Sequence, residues 1–298
     1  KDMAGTVYLC IKKRQNLFVQ APTGIGKTMA AMYPSVKAMG DGYAEKLFYL
    51  TAKTIARGVA VDSLEILRAH GLYFKSVMIT AKEKICPLEE MECDPEHCPY
   101  AKGHYDRINK AIYDCVTNEF NITRDVLLQY ANAHMVCPFE LGLDVSLFVD
   151  GIICDYNYVF DPRVKLRRYF AEGAKGDFLF LVDEAHNLVE RGREMYSAGI
   201  SRQSLVALRK KIRKRFSKLA RTLDKANRQM MELEENLAET GKGYQVLPNP
   251  GVLPITFLTI SGELEEILEE KELEEELRRE ILEFYFIVRD FLNVSELV

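Results

Sequence analysis

Residues 21–28 read Ala21-Pro22-Thr23-Gly24-Ile25-Gly26-Lys27-Thr28, which is the pattern of a loop that binds phosphate groups. Gly24 and Gly26 let the backbone curl so that its N–H groups face the phosphates at a helix N-terminus. Lys27 is expected to reach the β- and γ-phosphates of a nucleotide, and the Thr28 hydroxyl is placed to ligate Mg²⁺. The predicted nucleotide site therefore contains Thr23, Gly24, Gly26, Lys27 and Thr28.

A second motif, residues 178–186, reads Phe178-Leu179-Phe180-Leu181-Val182-Asp183-Glu184-Ala185-His186. It predicts a buried central strand that ends in two acids, at the edge where open α/β sheets bind ligands. Asp183 is expected to hold Mg²⁺, directly or through water, and Glu184 to orient and deprotonate the attacking water. Alone, residues 183–186 also fit acids at a helix N-terminus. With the phosphate loop they favour ATP hydrolysis, in which Lys27, Asp183 and Glu184 are catalytic and Asp183 and His186 join the nucleotide site.

Short apolar runs alternate with helical stretches from residue 16 to residue 198, which predicts an α/β fold with a mostly parallel sheet covered by helices. The segment between the third and fourth candidate strands is rich in Cys, Pro, Glu and His and fits no strand–helix unit. We expect it to be an insert. The candidate strands are residues 17–20, 47–51, 76–80, 151–155 and 178–183.

After Ser201 the pattern becomes helical, with apolar residues three or four apart from Leu205 to Leu237. A loop with several glycines and prolines follows, and a second helical stretch runs from Glu263 to the end. We therefore predict two long helices joined as a hairpin.

The net charge of -4 conceals an uneven distribution along this helical part. Residues 209–228 hold ten Lys or Arg and one acid, whereas residues 263–283 hold eleven Glu and three basic residues. Intramolecular pairing is expected for most of these charges. Contact of the basic run with nucleic acid is the alternative.

The chain has seven cysteines, an odd number, which argues against a disulfide framework. Residues 1–5 lack the apolar run of an export signal, and no stretch has the roughly 18 uncharged apolar residues of a membrane span. A cytoplasmic location without a membrane partner is therefore expected. Metal ligation and burial are the remaining roles for the cysteines.

Three cysteines, Cys86, Cys98 and Cys137, precede prolines, as cysteines do in ferredoxin cluster loops. Cys93, which lies between the first two, is the natural fourth ligand. The spacing fits a zinc finger poorly, because zinc fingers usually bring two close cysteine pairs. The prediction is a 4Fe-4S cluster on Cys86, Cys93, Cys98 and Cys137, with His97 as an alternative ligand and Cys10, Cys115 and Cys154 as buried thiols.

The order of these motifs resembles the iron-sulfur helicases of the XPD/DinG type, which are superfamily 2 DNA helicases with a DEAH box. The resemblance covers about residues 7–198. It is carried by the phosphate loop, Thr51-Ala52-Lys53-Thr54, the cysteine insert, Cys137-Pro138-Phe139, Asp155-Tyr156-Asn157-Tyr158-Val159-Phe160-Asp161-Pro162 and the DEAH box at 183–186.

The resemblance implies a RecA-like first motor domain with helices on both faces of its sheet, formed by residues 1–82 and 148–198. Residues 83–147 are then the iron-sulfur insert, and residues 199–298 an incomplete helical arch. The resemblance also suggests DNA contacts by Thr51, Lys53 and Thr54, although a threonine at this position is as ordinary in a helix cap. Tyr156 and Asn157 are candidates for contact with single-stranded bases, and buried support of the sheet is an equal alternative.

The implied activity is ATP-dependent translocation on single-stranded DNA, 5′ to 3′, with unwinding of forked duplexes and a role in DNA repair. The implied cofactors are ATP, Mg²⁺ and the cluster, and a monomer is expected. In this family a second motor domain supplies arginines across the nucleotide cleft, and its motifs are not visible here, so the chain is expected to be a fragment. The alternatives are a nucleotide-switched clamp on nucleic acid that does not unwind, and a zinc-stabilised P-loop enzyme with another substrate.

Overall fold

Five parallel strands form the sheet that organises the first part of the chain. The structure is a computed structural model, and it describes residues 2–22, 24–244, 246, 251–270 and 272–297. The chain divides into two compact units, Lys1–Val189 and Glu190–Val298. The strands are β1 (Lys46–Leu50), β2 (Ser76–Met78), β3 (Asn121–Ile122), β4 (Gly151–Cys154) and β5 (Phe178–Val182), in the order β3-β2-β4-β1-β5.

The register places the polar strand ends side by side. Leu50 of β1 is level with Cys154 of β4 and with Val182 of β5, so that Thr51, Asp155 and Asp183 follow at the same edge. All four strand pairings are parallel. The predicted α/β fold with a parallel sheet is therefore confirmed.

Two predictions about strands are wrong. Residues 17–20 form no strand, and Phe18 is 90% exposed; a segment this short needs a pairing partner, and no hydrogen bond in the described chain links it to the sheet. β5 was expected to be central and buried. It is instead an edge strand of the described sheet, where Phe180 is 39% exposed because only β1 flanks it.

Strand β3 lies inside the predicted insert and pairs with β2. Sequence patterns missed it because two residues, Asn121 and Ile122, carry no recognisable alternation. The insert therefore contributes a strand to the same sheet as the phosphate loop and the DEAH box. The predicted limits of the four domains remain predictions.

Helices cover both faces of the sheet. On one face, Met32, Leu64 and Tyr49 belong to a single buried cluster that joins two helices to β1. On the other face, the ring of Phe48 contacts Tyr169 at a centroid distance of 5.3 Å. The helices of this unit are α1 (Asp2–Lys12), α2 (Lys27–Gly40), α3 (Thr54–Ala69), α4 (Lys82–Ile85), α5 (His104–Asn118), α6 (Arg124–His134), α7 (Pro138–Val145), α8 (Asn157–Phe160) and α9 (Arg167–Phe170), and α10 (Leu188–Met195) spans the boundary between the units.

After α10, the described residues of the second unit form four helices where two long ones were predicted. They are α11 (Arg202–Ile212), α12 (Ser217–Thr240), α13 (Leu253–Leu268) and α14 (Glu275–Ser295). Each helix packs against the next, and α14 returns to α11, so that one core contains Leu208, Leu223, Phe257, Leu264 and Phe284. Breaks at residues 213–216 and 269–274 let the apolar seam close on itself, which buries more apolar surface than one extended hairpin. Among the described residues, no helix is long and apolar enough to span a membrane.

Candidate nucleotide site and cysteine cluster

The phosphate loop has the backbone conformation that its glycines predict. Gly24 and Gly26 have φ angles of 82° and 78°, in the left-handed region that favours glycine. Gly26 caps α2, which begins at Lys27, so free backbone N–H groups lie where a phosphate binds. Thr23, which was predicted to belong to this loop, lies outside the described residues.

The loop and the DEAH box meet at the carboxyl edge of the sheet. The Lys27 Nζ atom lies 3.7 Å from the Glu184 Oε1 atom. At the same edge, the hydroxyl of the buried Tyr49 of β1 lies near the side chains of both Thr28 and Asp183. Burial, the charge of Asp183 and a hydrogen bond with Asp183 raise the pKa of Tyr49, so the hydroxyl stays protonated. The predicted phosphate and Mg²⁺ groups are therefore in one place.

The turn that carries Glu184 is held from beneath. Glu184 has a φ of 51°, which costs free energy for a residue other than glycine and needs support from its surroundings. Tyr156, which is fully buried, donates a hydrogen bond to the carbonyl oxygen of Asp183 and one of 3.3 Å to that of Glu184. Asn187 donates its backbone N–H and its Nδ2 group to the Glu184 carbonyl at 3.0 and 3.1 Å. The exposed His186 places Nδ1 3.5 Å from the Glu184 carboxylate.

The residues predicted to contact DNA have different environments. Thr51 is buried, and its hydroxyl accepts a hydrogen bond from the Lys53 N–H at 3.4 Å, as in a turn closed by a threonine side chain. The N-cap residue of α3 is Lys53, so Thr51 is not the predicted helix cap. The Lys53 side chain is exposed just before α3, whereas the Thr54 side chain lies outside the described residues. Asn157 is half-buried. The buried ring of Tyr156 supports the sheet in this conformation, as its alternative interpretation holds.

The predicted cluster ligands Cys86 and Cys137 lie at the ends of two helices that pack together. Cys86 caps the C-terminus of α4 and Cys137 the N-terminus of α7. Their neighbours Ile85 and Pro138 line the same crevice. These two thiols therefore approach one region of the insert from opposite sides.

Two further contacts bring the other cysteine loops to Cys137. Lys82 interacts with Cys93 and Cys137. Burial, the largest single cause, lowers its pKa, but Cys93, Cys137 and Glu140 together raise it above the usual value. His104, which begins α5 shortly after the buried Cys98, accepts a hydrogen bond of 3.2 Å from the Cys137 N–H at Nδ1. These contacts link the loops of the four cysteines, but among the described residues no group of three of these thiols lies close enough together to share one ion.

The three cysteines predicted to be buried thiols and the alternative ligand His97 differ in their burial. Cys115 and Cys154 are buried as predicted, and burial raises the pKa of Cys115 to about 12. Cys10 is only half-buried, so that prediction is wrong. His97 is exposed, and its Nδ1 lies 2.8 Å from the Asp94 carboxylate, where it also approaches Glu92. These three exposed groups lie close enough to share an ion, but exposed acids commonly cluster without one.

Comparisons with known proteins agree with the arrangement of phosphate loop and DEAH box. The profile of the DEAD_2 family matches residues 56–205. The chain belongs to the DEAD_2 family. The profile of the DEAD/DEAH box helicases matches residues 4–81 of this DEAD_2 chain. The predicted membership of the XPD/DinG-type helicases is thereby confirmed.

The solved structures and curated proteins to which this DEAD_2 chain is similar are longer than it. An XPD helicase structure is similar over 99% of this chain and 50% of that one, with a TM-score of 0.57 and 16% identity. A truncated XPD is similar over 100% and 82%, with a TM-score of 0.55 and 18% identity. A probable ATP-dependent helicase of Methanocaldococcus jannaschii is 27% identical over 192 residues, which are 63% of this chain and 28% of that protein. The Fanconi anemia group J protein homolog of Gallus gallus is 26% identical over 156 residues, 46% of this chain and 12% of that protein.

Sequence reasoning missed one ion pair at the same edge of the DEAD_2 sheet. Arg57 of α3 places Nη2 3.3 Å from the Asp155 Oδ2 atom, and both side chains are largely buried. The second Asp155 oxygen accepts the Asn157 N–H at 3.1 Å. The pair links the segment after β1 to the segment after β4. Its signal in the sequence was an acid directly after a buried strand, as at Asp183.

Proposed function

We propose that this chain is the first motor domain of an ATP-driven DNA helicase. The observation that carries the proposal is the contact of Tyr49 with both Thr28 and Asp183, together with the 3.7 Å approach of Lys27 to Glu184. Two motifs far apart in sequence thereby form one site at the carboxyl edge of a parallel sheet, where such folds bind nucleotides. The names of the curated relatives support the same activity.

Each side chain of the site has a role in phosphoryl transfer. Lys27 compensates the charge of the β- and γ-phosphates, and the N–H groups that begin α2 bind phosphate oxygens. Thr28 and Asp183 would hold Mg²⁺, which when bound neutralises charge on the phosphates. Glu184 would accept a proton from the attacking water. His186, 3.5 Å from Glu184, would contribute to the nucleotide site from that side.

Single-stranded DNA is proposed to cross the same edge of the sheet, with 5′ to 3′ movement. The exposed Lys53 supplies charge to the backbone, and Thr54, next to it, supplies a hydroxyl. Asn157 begins the short helix after β4 and offers an amide group. The Arg57–Asp155 ion pair holds these two segments together. A monomeric, cytoplasmic protein that acts in DNA repair is the corresponding biological proposal.

A 4Fe-4S cluster on Cys86, Cys93, Cys98 and Cys137 is proposed for the insert. The support is the spacing of the cysteines and their prolines, together with the contacts of Lys82 and His104 and the packing of α4 on α7. Four thiolates are the usual ligand set of such a cluster. The cluster would hold together loops that otherwise have few regular elements.

Strand separation by a longer protein that contains this chain tests the proposal. A forked duplex with a fluorophore and quencher is expected to open with Mg-ATP, and Glu184→Gln is expected to abolish opening while nucleotide binding persists, because only the proton acceptor is removed. Tyr73→Phe, at an exposed position, is the control and should open the fork normally. A nucleotide-dependent change of DNA affinity without any opening would contradict the helicase and favour the clamp.

A further inference from the structure

The basic residues of α11 and α12 divide into two sets, contrary to the prediction that most would pair within the chain. One set faces acids: Arg209 lies 2.8 Å from Asp224, and Lys211 forms an ion pair with Glu280. This acid-paired set also includes Arg215 and Lys218, which lie 3.1 Å from Glu270 and 3.2 Å from Glu266. It accounts for four of the ten basic residues of the run.

The other set has no acidic partner in the part of the chain that the structure describes. All six side chains are exposed, and Arg221 bonds only the backbone carbonyl of Ser217. Glu239 is the one acid in this unit whose side chain lies outside the description. It follows Arg228 on α12 by eleven residues, about 16 Å of helix axis, which is beyond an ion pair. The members of this set are Lys210, Arg213, Lys214, Arg221, Lys225 and Arg228.

Three of these residues form a line on α12. Arg221, Lys225 and Arg228 are spaced i, i+4 and i+7, which places them on one face of a helix. The core positions Leu223 and Ala226 point away from that face. With a rise of about 1.5 Å per residue, the line is about 10 Å long. We call these three residues the α12 basic stripe.

We propose that the α12 basic stripe binds the phosphodiester backbone of DNA, at a surface additional to the motor sheet. Asp224, Glu266, Glu270 and Glu280 neutralise the acid-paired set. They leave the stripe uncompensated in the described part of the chain, so a polyanion can bind there by displacing solvent counterions. A nucleic-acid strand presents a phosphate about every 3.4 Å of helix axis, a density that three cations within 10 Å match. Arg and Lys side chains commonly contact phosphate oxygens, so binding is expected to depend mainly on the nucleic-acid backbone and little on sequence. The proposal depends on DNA being the substrate of the proposed function.

The test compares two variants of the 298-residue chain with the same change of charge. Arg221→Gln/Lys225→Gln/Arg228→Gln removes the stripe, and Lys211→Gln/Arg215→Gln/Lys218→Gln removes three cations that face acids. Affinity for a fluorescent oligothymidylate is measured by anisotropy at several salt concentrations without nucleotide. Loss of the stripe is expected to lower the slope of log K against log salt by about 2, since each contact to a single strand contributes about 0.7. Affinity should fall at least tenfold at low salt.

The acid-paired variant is expected to keep the slope within about 0.5 of the parent's. Its unfolding midpoint should fall instead, because its ion pairs stabilise the helical unit, whereas the stripe variant should unfold like the parent. An equal loss of DNA affinity in both variants would overturn the proposal, since net charge would then explain it. Competition by poly-glutamate as strong as by oligothymidylate would also overturn it in favour of an acidic protein partner. ATP turnover and unwinding do not enter this measurement, so its failure is distinguishable from failure of the helicase proposal.

Discussion

The 298-residue chain is expected to hydrolyse ATP at least about 10³-fold more slowly than the same chain joined to a second motor domain. In the proposed site, Lys27 would bind phosphate, Thr28 and Asp183 would hold the metal, and Glu184 would accept the proton; the structure places these side chains near one another. None of these four side chains is expected to place a positive charge on the far side of the transferring phosphoryl group. In the family that this chain resembles, arginines from the second motor domain do so, and such arginines contribute roughly 10³ to 10⁵ in rate.

Steady-state ATP turnover, with and without single-stranded DNA, measures this difference. The comparison includes the chain alone, the chain extended through a second motor domain, and Glu184→Gln in each. The extended protein should be stimulated by DNA and lose its turnover on Glu184→Gln, while both forms of the short chain should stay near background. Brisk, DNA-stimulated turnover by the short chain, abolished by Glu184→Gln, would show that the missing cation lies within these 298 residues.

Substitution of any one proposed cluster ligand is expected to cause an all-or-none loss of iron. Anaerobically purified protein should be brown and contain about four irons per chain. Serine at Cys86, Cys93, Cys98 or Cys137 should yield colourless protein, because three thiolates no longer complete the ligand set. Cys10→Ser is the matched control, since Cys10 is half-buried like Cys86 and Cys137 but lies far from them in sequence.

Iron and zinc content by elemental analysis, with visible absorbance, measure the outcome, and circular dichroism checks the fold of each variant. Stoichiometric zinc in a colourless and fully folded parent protein would refute the iron-sulfur assignment. Loss of iron in Cys10→Ser to the same extent as in Cys86→Ser would show that the four predicted ligands are not a distinct set. His97→Ala should keep its iron, because His97 is exposed and bonded to Asp94.

Local sequence predicts the phosphate loop and the DEAH box well, because the residue types of each motif are required both for its backbone conformation and for its chemistry. Gly26 needs a positive φ and caps the helix that begins at Lys27, and both follow from the residue types. Which strands lie next to one another depends on pairing between segments that are distant in sequence. The pattern of a single segment carries no information about that pairing. For this reason β5 was expected to be central, and the role of Tyr156 beneath Glu184 was visible only in the structure.

The charged residues of the helical unit show the same limit of prediction from sequence. Residues 209–228 indicated a basic surface and residues 263–283 an acidic one, and helix pairing was a reasonable inference from opposite charges. Which cation meets an acid depends on the rotation of each helix about its axis and on the break at residues 213–216. Lys211 faces Glu280 whereas its neighbour Lys210 faces solvent. The sequence indicates that ion pairs form between these helices, but it does not predict which residues form them.

Binding of Mg-ATP to the 298-residue chain tests the nucleotide site most directly. Calorimetric titration with a non-hydrolysable ATP analogue is expected to show one weak site per chain that requires Mg²⁺. Lys27→Ala should weaken binding at least about tenfold, since hydrogen bonds to charged groups contribute about 1.5 to 3 kcal/mol. Lys37→Ala, on the same helix but paired with Asp41, should bind like the parent, and Glu184→Gln should retain binding. Binding that ignores Mg²⁺ and survives Lys27→Ala would contradict the site.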